Sequence, residues 1–381
     1  MLSFIRQCIT YLFTEPAEPP TPVRAQTDDV PADAEQASAL AEQALEQDFP
    51  QPELAWWIPD PSRLEPPLPQ AKQQAVDRAL YDQLTKALDD QNLDLPRMPH
   101  VAQRALLALR DENVNYPELA ELIGQDPVLS AEILRVANSV LFRAVREVTQ
   151  LEQAFTRLGQ RHVRSCILGV SFKGITIRIG GAERSIGEEL WRRSMVAGVV
   201  LRQFAPRFGL PEEEAFLVGL LHDIGMLVVL KVTHEYQQLH GRPVPRSLFD
   251  QVADEWHQHV GLRLAEAWNL PDPLPELIGT HHSQVREGDP RRTYRLLIQL
   301  ADVACEMLGY SPYQAHDFFS LPCVTQLNLK NDADTRRLLS EIPRLLPDLG
   351  PPPRGAAPGK SPPRAALLGG ARPSPGPPPR R

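Results

Sequence analysis

From Val101 onward, apolar positions recur every three to four residues almost without a break, and polar residues fill the opposite faces. That period predicts amphipathic helices over 101–110, 117–124, 127–138, 151–158 and 162–172. A second series follows over 188–208, 211–223, 226–233, 248–268, 273–282 and 293–308. Punctuation supports these boundaries. Asp126-Pro127 offers an N-cap followed by a proline that suits the first turn, and Gly159 closes one helix. Leu210-Pro211 leads into three glutamates, Glu212 to Glu214, placed at the positive end of a helix dipole. Gly225 is positioned to end that helix. One short run, 174–181, alternates through Ile175, Ile177 and Ile179 and reads as a strand candidate too short to change the class. The prediction is an all-α body around one large core.

Outside this body the pattern thins. Residues 1–69 read as a flexible arm with short helices. Met1 to Phe13 reads as a start that docks or frays, because a single basic residue, Arg6, makes a poor membrane anchor. The stretch 15–31 is rich in proline and acid and reads as a linker, and 33–47 as a short isolated helix. Between residues 50 and 69, seven prolines surround Trp56 and Trp57, which suits an extended strap whose tryptophans plug onto the body. A leading helix over 70–92 follows, with Ala75, Ala79, Leu80, Leu84 and Leu88 on one face. Residues 311–350 form a helical extension. The last segment, 351–381, holds eleven prolines, six basic residues and no acid, and reads as disordered.

Composition narrows the classes. A formal charge of −8 argues against a general nucleic-acid binder, whose footprint is basic. Cys8, Cys166, Cys305 and Cys323 are far apart, with no CxxC pair and no secretory signal. They read as reduced thiols of a cytoplasmic protein, without a disulfide framework or a cysteine zinc site. No apolar run is read as reaching the roughly 20 residues of a bilayer span.

The chemistry concentrates at His222-Asp223, adjacent polar residues at the end of an apolar helix. Burying either one without a partner is costly, so each needs a metal ion, a phosphate-bearing ligand, or the other.

Several ordered motifs resemble the HDOD family of bacterial HD-related output domains. The first half carries Leu95-Pro96-x-Met98-Pro99, Asp126-Pro127-x-Leu129-Ser130 and Leu134-x-x-Ala137-Asn138-Ser139. The second half carries Leu190-Trp191 with Ser194, the run Gly219 to Gly225, His259-Val260-Gly261, Trp268-x-Leu270-Pro271 and His281-His282. The resemblance covers roughly residues 95–308. It implies an HD-like multi-helix half, 186–310, packed against an N-terminal helical half, 93–173. It also implies a regulator of bacterial signal transduction, without catalysis, working through protein partners.

Related HD phosphohydrolases hold one or two divalent metals with a histidine, a His-Asp doublet and a later aspartate. By that resemblance the doublet is His222-Asp223 and the later aspartate Asp302, with His259, His281 and His282 as further ligands. Manganese, iron, zinc or nickel would suit such donors. The first histidine is missing, and Arg193 stands in its place. A guanidinium has no lone pair for a metal; it pairs with a carboxylate or holds a phosphate. The expectation is an Arg193 ion pair with Asp223 or Asp302, and a degenerate site. A metal-dependent phosphohydrolase acting on a nucleotide or cyclic dinucleotide, and a phosphate-ligand sensor without turnover, are the alternatives. His257 is read as a surface residue.

Overall fold

The computed structural model describes residues 55–59, 78–111, 113–138, 147–178, 184–312, 314, 316–346 and 349. The docking or fraying start at 1–13, the linker at 15–31, the helix at 33–47, the first residues of the leading helix and the tail at 351–381 lie outside them. Among the described residues every regular element is helical. In chain order they are α1 (Arg78–Asp89), α2 (His100–Ala108), α3 (Tyr116–Gly124), α4 (Pro127–Ala137), α5 (Leu151–Arg178), α6 (Arg184–Phe204) and α7 (Glu212–Leu221). They continue as α8 (Met226–His240), α9 (Arg246–Ala267), α10 (Leu274–Thr280), α11 (Arg292–Leu308), α12 (Pro322–Gln326) and α13 (Ala333–Arg344).

The starts follow local chemistry. The Asp126 carboxylate accepts from the N–H groups of Val128 and Leu129, both at 3.0 Å, and Pro127 occupies the first turn. Asn115 and Asp332 cap α3 and α13 in the same way. Gly159, at φ 74° and ψ 161°, divides α5 into two helical arms, as its sequence position predicts. The strand candidate is corrected: residues 174–178 continue the helix. Phe172, Ile175 and Thr176 point into the core while Ile177 is exposed, a helical face rather than an alternation.

Asn138, at the end of α4, is tied to Val148, just ahead of α5. Its side-chain amide donates to the Val148 carbonyl at 2.6 Å and its oxygen accepts from the Val148 N–H at 2.7 Å. The segment before α2 is tied to the second half by the Trp268 indole, which donates to the Pro96 carbonyl at 2.8 Å. Helix α1 buries Leu80, Leu84 and Leu88, while Ala79 faces solvent. Arg263 caps the end of α1 through the carbonyls of Leu88, Asp90 and Gln91. The expected docking of the two tryptophans is present, since Trp56 and Trp57 are both buried; residues 55–59 form a turn rather than an extended run, and the rest of 50–69 lies outside the described residues.

Helices α6 and α7 pack most intimately. A β-carbon on Gly219 would stand 2.4 Å from the Ala197 carbonyl oxygen, so only glycine lets the two backbones meet. Helix α7 runs through the centre of the second half, and a tight helical turn at 222–225 leads directly into α8. Together Glu212–His240 are long and apolar enough to cross a bilayer, contrary to the sequence expectation, but 83% of the apolar window is buried inside the protein. The run is core, and between residues 215 and 230 its one polar interruption is His222-Asp223.

Gly225 does not end α7 in the manner expected. Its backbone is right-handed, φ −63° and ψ −22°, and it precedes α8. It is glycine because α9 passes across it. A β-carbon there would fall 1.8 Å from the His257 carbonyl oxygen and 2.8 Å from the Gly261 nitrogen. Gly261 reciprocates, its α-face against Gly225. This contact brings the turn carrying Asp223 against the face of α9 that carries His257.

Candidate functional site

The turn between α7 and α8 places His222 and Asp223 in the interior, 4% and 5% exposed. Four helices converge on them. Helix α9 contributes His257, the end of α10 contributes His281 and His282, α11 contributes Asp302 and α6 contributes Arg193. Asp223 is the hub. Its Oδ1 lies 3.3 Å from His281 Nε2 and 3.5 Å from His257 Nε2. Its Oδ2 lies 3.3 Å from His222 Nε2 and 3.5 Å from Arg193 Nη2. Asp302 Oδ1 approaches His222 Nε2 to 3.7 Å.

The three buried histidines share one arrangement. Nδ1 of His222 is bonded to the Gly219 carbonyl at 2.7 Å, that of His257 to Ala253 at 2.7 Å, and that of His281 to Ile278 at 3.0 Å. A carbonyl only accepts, so each Nδ1 carries a proton and each Nε2 faces inward, toward Asp223. Backbone bonds of this kind fix the tautomer and aim of metal-ligating imidazoles. Nε2 of His257 and Nε2 of His281 are 3.1 Å apart. Two lone pairs at that distance repel unless a proton or a cation lies between them. Two nitrogens each about 2.1 Å from one ion and about 95° apart would be separated by about that distance.

Donor atoms of Asp223, His257, His281 and His282 lie within 4.8 Å of one another, and those of His222, Asp223 and Asp302 form a second such group. The first group fits a single divalent ion: a carboxylate and three imidazoles, with His282 at the solvent-facing rim. The second group is compromised by Arg193, whose cation stands against the shared carboxylate. Burial alone would lower the His222 pKa, but the Asp223 carboxylate overrides it, aided by Asp302, and it is pushed up to about 10. Asp223 is held well below the usual carboxylate range: burial opposes this, and His222 and its other imidazole neighbours overcome it. Two cations, Arg193 and protonated His222, thus balance the two aspartates.

His259 is the correction. It lies on the exposed side of α9 with its ring edge-on to Trp256, and His257 takes the inward place. The inward line of α9 runs Phe249, Ala253, His257, Val260 and Leu264, and two residues of rotation carry 259 to the far side. That spacing was visible in the sequence; the His259-Val260-Gly261 motif drew attention to the wrong histidine, and its meaningful member is Gly261 against Gly225. His257→Ala is expected to cost about 1–3 kcal/mol by leaving Asp223 and His281 short of a partner. His259→Ala should stay within about 0.5 kcal/mol. Chemical denaturation of both variants tests this; equal effects would contradict the placement.

Arg295 also escaped sequence analysis. Only 6% exposed, it donates to the Thr280 carbonyl at 2.8 Å, to Glu276 at 3.0 Å and to Asp289 at 2.8 Å. It fixes the end of α10 from which His281 and His282 project. A single arginine in an amphipathic helix gives no sequence signal of such a role.

A family model described as HDOD domain matches residues 95–284. A curated, uncharacterized protein of Treponema pallidum (strain Nichols) is 24% identical over 243 residues, covering 61% of this chain and 46% of the relative. The chain therefore spans about half the length of that relative. An HDOD domain protein of unknown function from Geobacter sulfurreducens superposes with a TM-score of 0.51 at 21% identity, over 76% of this chain and 96% of that one. A protein of Shewanella amazonensis SB2B, named provisionally as a metal-dependent phosphohydrolase, superposes with a TM-score of 0.50 at 20% identity, over 70% and 98%. At these identities the two structures speak for the fold.

Proposed function

Residues 95–284 are an HDOD domain, and on that premise we propose that the chain is a non-catalytic regulatory module of bacterial signalling that works through protein contacts. The observation that carries this reading is the Arg193 guanidinium 3.5 Å from the Asp223 carboxylate. A cation built into the chain there balances charge that a phosphohydrolase would leave for a metal, and it opposes a second divalent ion beside it by repulsion. The His222, Asp223 and Asp302 side of the cluster is then a structural ion network, and the surfaces of the two helical halves are free to carry the function.

A second reading is favoured by the convergent Nε2 atoms of His257 and His281. It gives the Asp223, His257, His281 and His282 group one divalent ion that braces α9 and α10 without turnover. The ion would supply a Lewis acid; the chain's own histidines would hold and orient it.

One experiment separates these readings from a phosphohydrolase. Chain purified without chelators or a histidine tag is analysed by elemental mass spectrometry, then assayed with bis(p-nitrophenyl) phosphate in Mn(II), Fe(II), Zn(II) or Ni(II). The expected result is at most one metal per chain and no hydrolysis above buffer. Hydrolysis abolished by Asp223→Asn would overturn the non-catalytic reading.

A further inference from the structure

Helix α13 carries a proline, Pro343, in its last turn. Proline has no N–H, so the Leu339 carbonyl four residues earlier loses its helical partner, and the ring pushes that carbonyl off the helix axis. Leu339 is fully buried. A buried acceptor left unpaired is costly, so the sequence of α13 creates a demand for a donor from elsewhere. The donor is the indole of Trp56, whose Nε1 reaches the Leu339 oxygen at 2.8 Å across 283 residues of chain. The same ring stands edge-to-face on Phe318 at 5.6 Å, and Trp57 packs edge-on against it at 6.2 Å. Both tryptophans are 7% exposed, whereas the next residue, Ile58, is 60% exposed.

These features describe a seat for one kind of side chain. It needs a flat apolar body with a donor on its edge; phenylalanine lacks the donor, and tyrosine carries it at the far tip. The two tryptophans are presented on a turn closed by the Ile58 N–H, which donates to the Ala55 carbonyl at 3.0 Å, within a stretch rich in proline.

We propose that the Pro343 notch is an indole-recognition pocket and that Trp56 is its internal ligand, making the N-terminal arm a releasable latch on the C-terminal extension. The latch has a structure to hold. Gln203 donates to Glu341 at 2.5 Å and Arg192 Nε to the Leu349 carbonyl at 3.0 Å, so the extension grips helix α6, which carries Arg193, near its middle and at its C-terminal end. The pocket stands on its own geometry and is independent of the functional reading above.

The test uses the full chain with Trp56→Ala and Trp57→Ala, which empties the seat, and a fluorescent peptide of residues 50–62 read by anisotropy. The emptied chain should bind the peptide at least about tenfold more tightly than wild type, whose seat is filled. A peptide with Trp56→Phe should bind about tenfold more weakly, the loss expected for about 1.4 kcal/mol. Adding Pro343→Ala to the emptied chain should weaken the native peptide similarly, because an alanine N–H reclaims the Leu339 carbonyl. A proline-to-alanine change inside a helix ordinarily stabilises it, so a weaker peptide complex with undiminished thermal stability is a result that misfolding does not mimic. Peptide binding insensitive to Pro343→Ala, or equal for wild-type and emptied chains, would overturn the proposal. So would a wild-type dimer that the double substitution converts to monomer, since the seat would then belong to a second copy's arm.

Discussion

Gly225→Ala is expected to destabilise the fold by about 4 kcal/mol or more, at the extreme of single substitutions. The added β-carbon would stand 1.8 Å from the His257 carbonyl oxygen, and that oxygen belongs to the backbone of α9. No rotamer change relieves a clash between a β-carbon and a main-chain atom. Either α9 moves as a body or the turn at 222–225 unwinds. Movement of α9 would also open the contact at Gly261 and draw His257 away from Asp223, now 3.5 Å apart. Stability and the histidine cluster should therefore fail together. Urea titration measures the first, and the imidazole resonances of His257 and His281 report the second. Gly124→Ala is the control, because a β-carbon there meets nothing within 4 Å. A Gly225→Ala chain within about 1 kcal/mol of wild type would show that the α8–α9 crossing is looser than described.

The same glycine shows how the sequence is read well and badly. Helix content, the caps at Asp126 and Pro127, and the division at Gly159 follow from local rules: period, capping chemistry and a positive φ. Those causes lie within a few residues of their effects. Gly225 follows a different rule. Its place after an apolar helix looks like a stop signal, but its cause is a helix more than thirty residues away. The candidate site divides likewise. His222, Asp223, His281 and Asp302 were legible because their motifs are contiguous or lie on a strongly patterned helix. His257 was passed over for His259, although the three- and four-residue spacing of Ala253, Val260 and Leu264 selects it. The short alternation at 174–181 misled because isoleucines two apart can also straddle a helix. The bond from Trp56 to Leu339 joins the two ends of the described chain, so no local rule could have paired them. What the sequence did hold was each half of the reason: a tryptophan in a proline-rich stretch and a proline in a helix.

Arg193→Ala should cost about 3 kcal/mol, the lower end for breaking a buried ion pair, because the guanidinium keeps 22% of its side chain exposed while Asp223 keeps 8%. The loss arises less from the missing attraction than from the carboxylate left behind with one cation fewer. His222 Nε2 is already a buried atom with no well-aligned hydrogen-bond partner, and the remaining imidazolium cannot satisfy both aspartates as Arg193 and His222 do together. A divalent cation is the natural replacement for the lost charge. Adding Mn(II) or Zn(II) should therefore recover stability in Arg193→Ala, by about 2.7 kcal/mol once free metal exceeds its dissociation constant a hundredfold. Wild type should respond less, since its guanidinium competes with the ion for Asp223. Arg193→His goes one step further: it exchanges the built-in cation for a lone pair, in the place where the resemblance to HD phosphohydrolases implies a histidine. That variant should acquire close to a full equivalent of metal and the largest metal-dependent rise in Tm. Calorimetry with and without metal, beside elemental analysis, reads both. If Arg193→Ala melts with wild type and neither variant takes up more metal, the guanidinium is a bystander at the rim and Asp223 is held by its histidines alone.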